Sequence, residues 1–146
     1  MKNYIKKEVS RLIKKYNTNN PFEIAKSENI IILFEKLGSI NGYYNKYARQ
    51  RFIHINEDLD FISQLVTCAH ELGHATVHPN SNTPFFRSNS YYSINKLEKQ
   101  ANYFSAELLI DESKIDKCLL NLYSIDQLAS LYNVPVELIK LKFNLI

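Results

Sequence analysis

The sequence lacks four features that would each place it in a familiar class of protein. No apolar run approaches the roughly 20 residues that cross a bilayer, and residues 1–16 mix lysines with apolar residues, unlike a secretory signal. The two cysteines, Cys68 and Cys118, do not have the spacing of a metal-binding pair, and the net charge of +3 is spread along the chain. We therefore expect a cytoplasmic protein with both thiols reduced and in the core, with no membrane partner and no direct nucleic-acid partner.

The remaining composition is that of one globular domain. With 146 residues, 45% of them hydrophobic, the chain can bury a core but has no room for a large accessory domain. We expect a single domain over residues 1–146. Residues 1–19 should contain a basic amphipathic helix, for which packing on the domain is a better interpretation than a membrane-surface role, and residues 111–146 should form a helical C-terminal subregion.

Periodicity and turn residues predict the elements between these ends. Asn20 as N-cap and Pro21 at the first helical position open a short helix that ends near residue 28. Residues 30–34 are predicted as a buried strand, residues 42–45 and 51–55 as the arms of a hairpin, and residues 58–77 and 95–109 as helices. This layout predicts an α+β fold in which a three-stranded antiparallel sheet packs on the two long helices.

Residues 70–74, His70-Glu71-Leu72-Gly73-His74, form the most specific motif in the chain. Two histidines four residues apart lie on one face of a helix, about 6 Å apart along its axis, where both imidazoles can hold one zinc ion. Glu71 can then reach a water on the metal without being a ligand and act as general base. The motif is typical of zinc-dependent peptidases.

The surroundings of the motif separate it from a chance match. Residues 58–77 are rich in large apolar side chains and free of proline, as in a helix buried on most sides, where two unpaired histidines would be costly to desolvate. Gly73 in the middle of a helix costs roughly 1 kcal/mol relative to alanine, which indicates close approach of another element. Metal binding is therefore a better interpretation than a pair of exposed polar histidines.

A catalytic zinc site needs a third protein ligand. His78 would lie about 12 Å along the helix axis from His70, too far to share the ion, so we expect it to contact the last helix carbonyls or to act as an outer-sphere or substrate-side group. Glu98 is a candidate because it projects from the second long helix. The alternative is structural: Asn95 caps that helix, Glu98 closes a capping box and Glu107 faces solvent.

These segments together resemble the ImmA/IrrE-type metallopeptidases, small gluzincin-like proteins encoded by bacteria, their mobile elements and their phages. The matching blocks are Cys68-Ala69-His70-Glu71-Leu72-Gly73-His74 with His78 after it, and Glu98-x-x-Ala101-Asn102-x-Phe104-Ser105-Ala106-Glu107-Leu108-Leu109. Residues 42–44 and 52–56 look like two strands of the family, so the resemblance covers residues 20–142. Ser105, where alanine is usual, and Asp111, where proline is common, depart from the pattern.

The resemblance implies that Glu98 is the third zinc ligand beside His70 and His74, with one zinc per chain and Glu71 as the catalytic residue. It implies a zincin-like metallopeptidase core, with the sheet packed on the motif helix and on the helix that carries Glu98. It also implies a substrate class: a helix-turn-helix transcriptional repressor, often encoded nearby, whose cleavage derepresses a phage, a mobile element or stress genes.

The loop of residues 79–90 joins the two predicted metal-bearing helices. Its aromatic residues Phe85 and Phe86 either line a substrate pocket or anchor the loop to the core. A zinc peptidase also needs a group that stabilises the oxyanion of the transition state. Four side chains are candidates for that role: Tyr44, Tyr91, Tyr92 and His78.

Residues 124–142 have the pattern of a helix-turn-helix, with Ser124 and Gln127 as a capping box and a turn at Asn133. The start of the second helix, residues 136–140, offers few groups that read base edges. A structural helical hairpin or a protein-docking surface is therefore a better interpretation than DNA binding.

Two functions of different classes remain. The favoured one is a zinc-dependent endopeptidase that cleaves a repressor. The alternative is a non-proteolytic regulatory module that keeps the zinc site but acts as an anti-repressor, or docks to DNA or a transcription factor. The intact Glu71 disfavours the alternative, because a module that does not cut needs no general base.

Overall fold

The computed structural model describes residues 1–82 and 91–145, and of residues 91–95 it describes the helical backbone. Most of these residues are helical, and the three strands of a small sheet come between the second and third helices in chain order. A 3₁₀ turn at Glu112–Lys114 follows the fourth helix. In chain order the helices and strands are α1 (Lys2–Tyr16), α2 (Pro21–Ser27), β1 (Ile30–Glu35), β2 (Gly42–Tyr47), β3 (Gln50–Asn56), α3 (Phe61–Val77), α4 (Tyr91–Leu109), α5 (Lys117–Leu120), α6 (Ile125–Tyr132) and α7 (Val136–Lys142).

The sheet has three strands in the order β1-β3-β2. β2 and β3 form the predicted antiparallel hairpin, but β1 runs parallel to β3, so the prediction of an antiparallel sheet is wrong for β1. The cause is the segment of residues 36–41, which turns back across the end of β3 and makes β2 run opposite to β1. Ile31 and Leu33 are exposed because they lie on the face of the sheet opposite Ile30 and Ile32, away from the core. Of the six residues of β1 only Ile30 is buried, which corrects the prediction of a buried strand.

The main core lies between the sheet and the helices α1 to α4. α3 packs on β2 and β3 and against α4, while α1 packs on α4. α1 buries Ile5, Val9 and Leu12 and leaves its lysines outside, so it packs on the domain as predicted. Within residues 1–82 and 91–145, no helix is long and apolar enough to cross a membrane.

A second apolar cluster joins α6 and α7 to the end of α4. Its buried members are Ala106, Ile110, Leu128, Ala129, Val134, Leu138 and Ile139. An ion pair crosses the same junction: Lys142 Nζ lies 2.6 Å from Glu107 Oε2, and both side chains are 8% exposed. Glu107 therefore does not face solvent, contrary to the structural alternative for α4.

Capping residues set the helix starts. Asn20 Oδ1 accepts a hydrogen bond from Phe22 N at 2.9 Å, and both bonds of the Ser124–Gln127 capping box are present. α3 begins at Phe61, three residues later than predicted, because the side chain of Asp60 caps it.

The residue at which α4 begins excludes the structural interpretation of Glu98, in which it closes a capping box. The helix begins at Tyr91, so Asn95 lies inside it and cannot be its N-cap. A capping box closed by Glu98 is therefore excluded, because such a box needs the N-cap three residues earlier.

The two cysteines differ in environment. Cys68 is buried as predicted, and this burial, with the nearby charge of Glu71, raises the pKa of its thiol. Cys118 is exposed, contrary to the prediction of a core thiol, because α5 is a short helix that buries none of its residues.

Candidate metal centre

The centre is built where α3 crosses α4. Gly73 of α3 makes this crossing close: a Cβ placed there would lie 3.1 Å from Phe104 Cβ and 3.2 Å from Ala101 Cα. These distances are shorter than ordinary van der Waals contact, so a side chain at Gly73 would push the helices apart. The predicted close approach at this glycine is thus present, and it brings Glu98 of α4 over the histidine face of α3.

His70, His74 and Glu98 converge on one point. Nε2 of His70 lies 2.9 Å from Oε2 of Glu98, and Nε2 of His74 lies 3.0 Å from Oε1 of the same carboxylate. One ligand atom from each residue fits within a span of 4.8 Å. His74 is 1% exposed, whereas the His70 and Glu98 side chains are 14% and 26% exposed, so His74 is the most deeply buried of the three.

The other ring nitrogens are held by neighbours. Nδ1 of His70 lies 2.8 Å from Oδ1 of Asn102, and Nδ1 of His74 lies 3.2 Å from Nδ1 of His78. Because an amide oxygen can only accept, His70 carries a proton on Nδ1, and its neutral form presents a lone pair at Nε2. This orientation by an outer partner is the usual arrangement of metal-binding histidines.

The charge state of the centre follows from burial and contact. Burial raises the pKa of Glu98, but hydrogen bonds from His70 and His74 outweigh it and hold that pKa well below its usual range. Burial lowers the pKa of His74 to about 4, which keeps its imidazole neutral. Burial opposes a charge on His70 as well, yet the hydrogen bond to Glu98 and the charges of Glu71 and Glu98 raise its pKa.

The donor set fits a zinc ion. Nε2 of His70 is buried at the centre and faces a carboxylate oxygen of Glu98 at 2.9 Å. Lone pairs of nitrogen and carboxylate oxygen that face one another repel unless a cation or a proton lies between them. Ligand atoms about 2.0–2.1 Å from a tetrahedral zinc stand roughly 3.3 Å apart. The spacings of 2.9 and 3.0 Å found here are near that value.

A cleft of about 510 Å³ opens in front of the centre. His70, Glu71, Glu98 and Asn102 form its floor. Glu71 is 1% exposed and lines the cleft beside the metal-binding face, as expected of a general base protected from bulk water. Residues 39–42, ahead of and at the start of β2, form one wall. Sequence reasoning missed the opposite wall, which comes from Pro135, Glu137, Leu138 and Leu141.

The structure narrows the candidates for oxyanion stabilisation. Tyr44 is fully buried and its hydroxyl donates to Pro79 O at 2.6 Å, so it holds the chain after α3 and does not line the cleft. His78 contacts His74 and Gln100 through its two ring nitrogens. The side chains of Tyr91 and Tyr92, and the residues Phe85 and Phe86, lie outside the described part of the chain.

A mixed α and β fold with two histidines and a carboxylate at the floor of a cleft defines a class, the candidate metal-dependent hydrolases. Sequence comparison then gives the family. Residues 25–144 match the IrrE N-terminal-like domain, a peptidase family, and the chain belongs to that family. The predicted resemblance to ImmA/IrrE-type proteins is thereby confirmed, and a metallopeptidase is supported.

Two relatives share most of their length with this chain. One, named "Uncharacterized immunity region protein 2", from Bacillus phage phi105, is 40% identical over 139 residues, covering 94% of this chain and 88% of the relative. The other, "Metallopeptidase ImmA" of Bacillus subtilis (strain 168), is 38% identical over 135 residues, covering 90% of this chain and 79% of the relative.

Proposed function

We propose that the protein is a zinc-dependent endopeptidase of the HExxH class, in which His70, His74 and Glu98 hold one zinc per chain. The observation that carries this proposal is the convergence of the two Nε2 atoms and one carboxylate at 2.9 and 3.0 Å, beside a buried glutamate in an open cleft. The chain's membership of a peptidase family supports it. We further propose a zincin-like arrangement of α3, α4 and the sheet.

When bound, zinc would polarise the scissile carbonyl and lower the pKa of a water molecule in the cleft. Glu71 accepts the proton that the attacking water loses and later delivers it to the leaving amine. Its carboxylate lies one residue after His70, on the part of α3 that lines the cleft, so it is placed for both transfers. Asn102 keeps the proton of His70 on Nδ1, which leaves Nε2 available for the metal.

The walls of the cleft indicate how a substrate would bind. β2 is an edge strand and its first residue, Gly42, lines the cleft. An extended peptide can add to such an edge through main-chain hydrogen bonds. Across the cleft, Leu138 and Leu141 of α7 offer an apolar surface, and Glu137 places a negative charge beside it. We propose that these two walls hold an extended peptide over Glu71.

The proposed substrate is a helix-turn-helix repressor encoded near this gene, cleaved in the cytoplasm to derepress a phage, a mobile element or stress genes. The names of the relatives support this proposal, since one belongs to a phage immunity region and the other is a metallopeptidase. Selectivity would come from docking of the repressor on the cleft walls, because the centre itself recognises only a peptide bond.

The experiment for this proposal follows metal and cleavage together. The purified protein is incubated with the repressor from the neighbouring gene, first as isolated, then after a chelator, then after added zinc, and fragments are identified by mass spectrometry. We expect one zinc per chain by native mass spectrometry, cleavage at one position, loss of cleavage on chelation and recovery with zinc. Cleavage that continues after complete removal of the metal would refute the zinc mechanism.

A further inference from the structure

His78 and Gln100 extend the contacts of the metal centre beyond its ligands. Nδ1 of His78 lies 3.2 Å from Nδ1 of His74, and Nε2 of His78 lies 2.6 Å from Oε1 of Gln100. The amide oxygen of Gln100 can only accept, so His78 carries its proton on Nε2 and its Nδ1 is an acceptor. A zinc ion on Nε2 of His74 would leave the proton of that ring on Nδ1, from which it is donated to this acceptor.

The geometry also excludes His78 as a ligand in this arrangement. Both of its ring nitrogens are engaged, one by His74 and the other by Gln100. α3 ends at Val77, and His78 as the C-cap leaves the helical path, with φ of −129° and ψ of 57°. His78 follows His74 by four residues, so the two rings are neighbours on one helix face, with centroids 5.3 Å apart.

The position of His78 is fixed by a compact turn. Its N–H donates to His74 O at 2.7 Å, and its carbonyl accepts from Ser81 N at 3.0 Å and from Ser81 Oγ at 2.7 Å. The buried Tyr44 hydroxyl holds the next carbonyl, that of Pro79. An imidazole on such a restrained backbone is oriented before any metal binds, which reduces the cost of ordering it later.

We propose that His78 and Gln100 form a positioning relay that fixes the tautomer and the ring orientation of His74 for zinc binding. The proposal rests on the proposed function, because it concerns the same zinc centre. His70 is held by one partner, Asn102 of α4, whereas His74 is held by a chain of two partners that begins at the end of α3 and finishes at Gln100 of α4. Neither His78 nor Gln100 touches the substrate or the metal in this scheme.

The test measures zinc affinity of the full-length protein by competition with a chromophoric chelator. Outer partners of metal-binding histidines contribute about 10–100-fold in affinity. We expect His78→Phe to weaken zinc binding by about that factor and Gln100→Leu by about 10-fold. Gln100→Glu keeps an oxygen acceptor for His78 Nε2 and should lose less affinity than Gln100→Leu. Thr76→Val is the matched control, because the Thr76 hydroxyl donates to Leu72 O in the same helical turn and not to the His78–Gln100 pair.

A spectroscopic readout separates positioning from a general structural effect. In the cobalt-substituted protein, the Nδ1 protons of His70 and His74 should give two exchangeable, hyperfine-shifted proton resonances. His78→Phe and Gln100→Leu should speed solvent exchange of the His74 resonance alone, with unchanged circular dichroism. The His70 resonance, which depends on Asn102, serves as the internal reference.

Three results would overturn the relay, and each is distinct. Parent-like zinc affinity and exchange in both variants would show that the contacts have no positioning role. Complete loss of zinc in His78→Phe, equal to that in His74→Ala, would make His78 a ligand. Failure of the parent protein itself to bind zinc would refute the proposed function, and the relay with it.

Discussion

Single side chains at the centre have different roles, and substitution should separate them. His70→Ala, His74→Ala and Glu98→Ala each remove a proposed ligand and should weaken zinc binding by more than the roughly 100-fold that loss of an outer partner costs. Glu71→Gln should keep zinc near parent affinity, because Glu71 is not one of the three converging residues. Equilibrium dialysis with metal analysis measures all four variants. Parent-like zinc in Glu98→Ala would refute the third ligand.

The two glycines with close neighbours should differ in their tolerance of a methyl group. A Cβ at Gly73 would lie 3.1 Å from Phe104 Cβ, whereas one at Gly42 would lie 2.6 Å from both His54 O and Thr67 Cγ2. Overpacking costs about 1–3 kcal/mol, and alanine in a helix regains about 1 kcal/mol of propensity. We expect Gly73→Ala to lose about 1 kcal/mol of unfolding free energy and Gly42→Ala clearly more.

Urea denaturation monitored by circular dichroism gives both values. A Gly73→Ala variant that unfolds at higher urea than the parent would show that α3 and α4 can separate without cost. In that case the close crossing would not set the spacing of the proposed ligands.

The sequence predicts some of the residues at the candidate metal centre but not others. His70 and His74 follow from spacing within a helix, and Glu98 from its helix and the family pattern. The partners Asn102 and Gln100 do not, because their positions depend on how far α4 is shifted along α3, which no local pattern records. His78 was expected to contact the last helix carbonyls or to act as an outer-sphere or substrate-side group, and in the structure its Nδ1 lies 3.2 Å from Nδ1 of His74.

Among the elements, the junction of α4 and α7 depends on a buried ion pair. Glu107 and Lys142 are both 8% exposed and 2.6 Å apart, so removing one partner leaves the other charge buried. We expect Lys142→Met to reduce the unfolding free energy by about 3 kcal/mol, while the double variant Lys142→Met with Glu107→Leu recovers much of the loss. Thermal and urea unfolding of the three proteins tests this. Equal stability of the single and double variants would contradict it.

The capping box of α6 offers a second test. Ser124 Oγ accepts from Gln127 N at 3.1 Å, and Gln127 Oε1 accepts from Ser124 N at 2.8 Å. We expect Ser124→Ala to cost about 1 kcal/mol, and Ser124→Asp, which keeps an acceptor, to cost much less. Urea denaturation compares the two variants. Similar losses for alanine and aspartate would show that the cap bonds do not stabilise α6.

The starts of α2 and α6 can be predicted from Asn20 and Ser124, because an N-cap is a local interaction. The orientation of β1 cannot be predicted in this way, since it depends on the side of β3 to which residues 36–41 lead the chain. The helix-turn-helix pattern of residues 124–142 predicted two helices correctly. In the structure Leu138 and Ile139 of its second helix belong to the apolar cluster that joins α7 to the end of α4.

At the scale of the whole molecule, three parts of the chain meet at the cleft. The segment before β2 forms one wall, α3 and α4 form the floor, and α7 forms the other wall. The sequence indicated the floor through its motif, but a wall contributed by the last helix appears only when the chain is folded. The proposed peptidase therefore uses its C-terminal subregion to shape the site that α3 and α4 build.

Glu71-dependent cleavage is the central claim, and a comparison of the parent with Glu71→Gln tests it most directly. Both proteins are loaded with zinc and incubated with the repressor from the neighbouring gene, and fragments are followed by mass spectrometry. Loss of a general base should slow cleavage by at least about 100-fold while zinc and repressor binding persist. Tight repressor binding without fragments from the parent, together with derepression by Glu71→Gln, would contradict the peptidase and establish a non-proteolytic regulator.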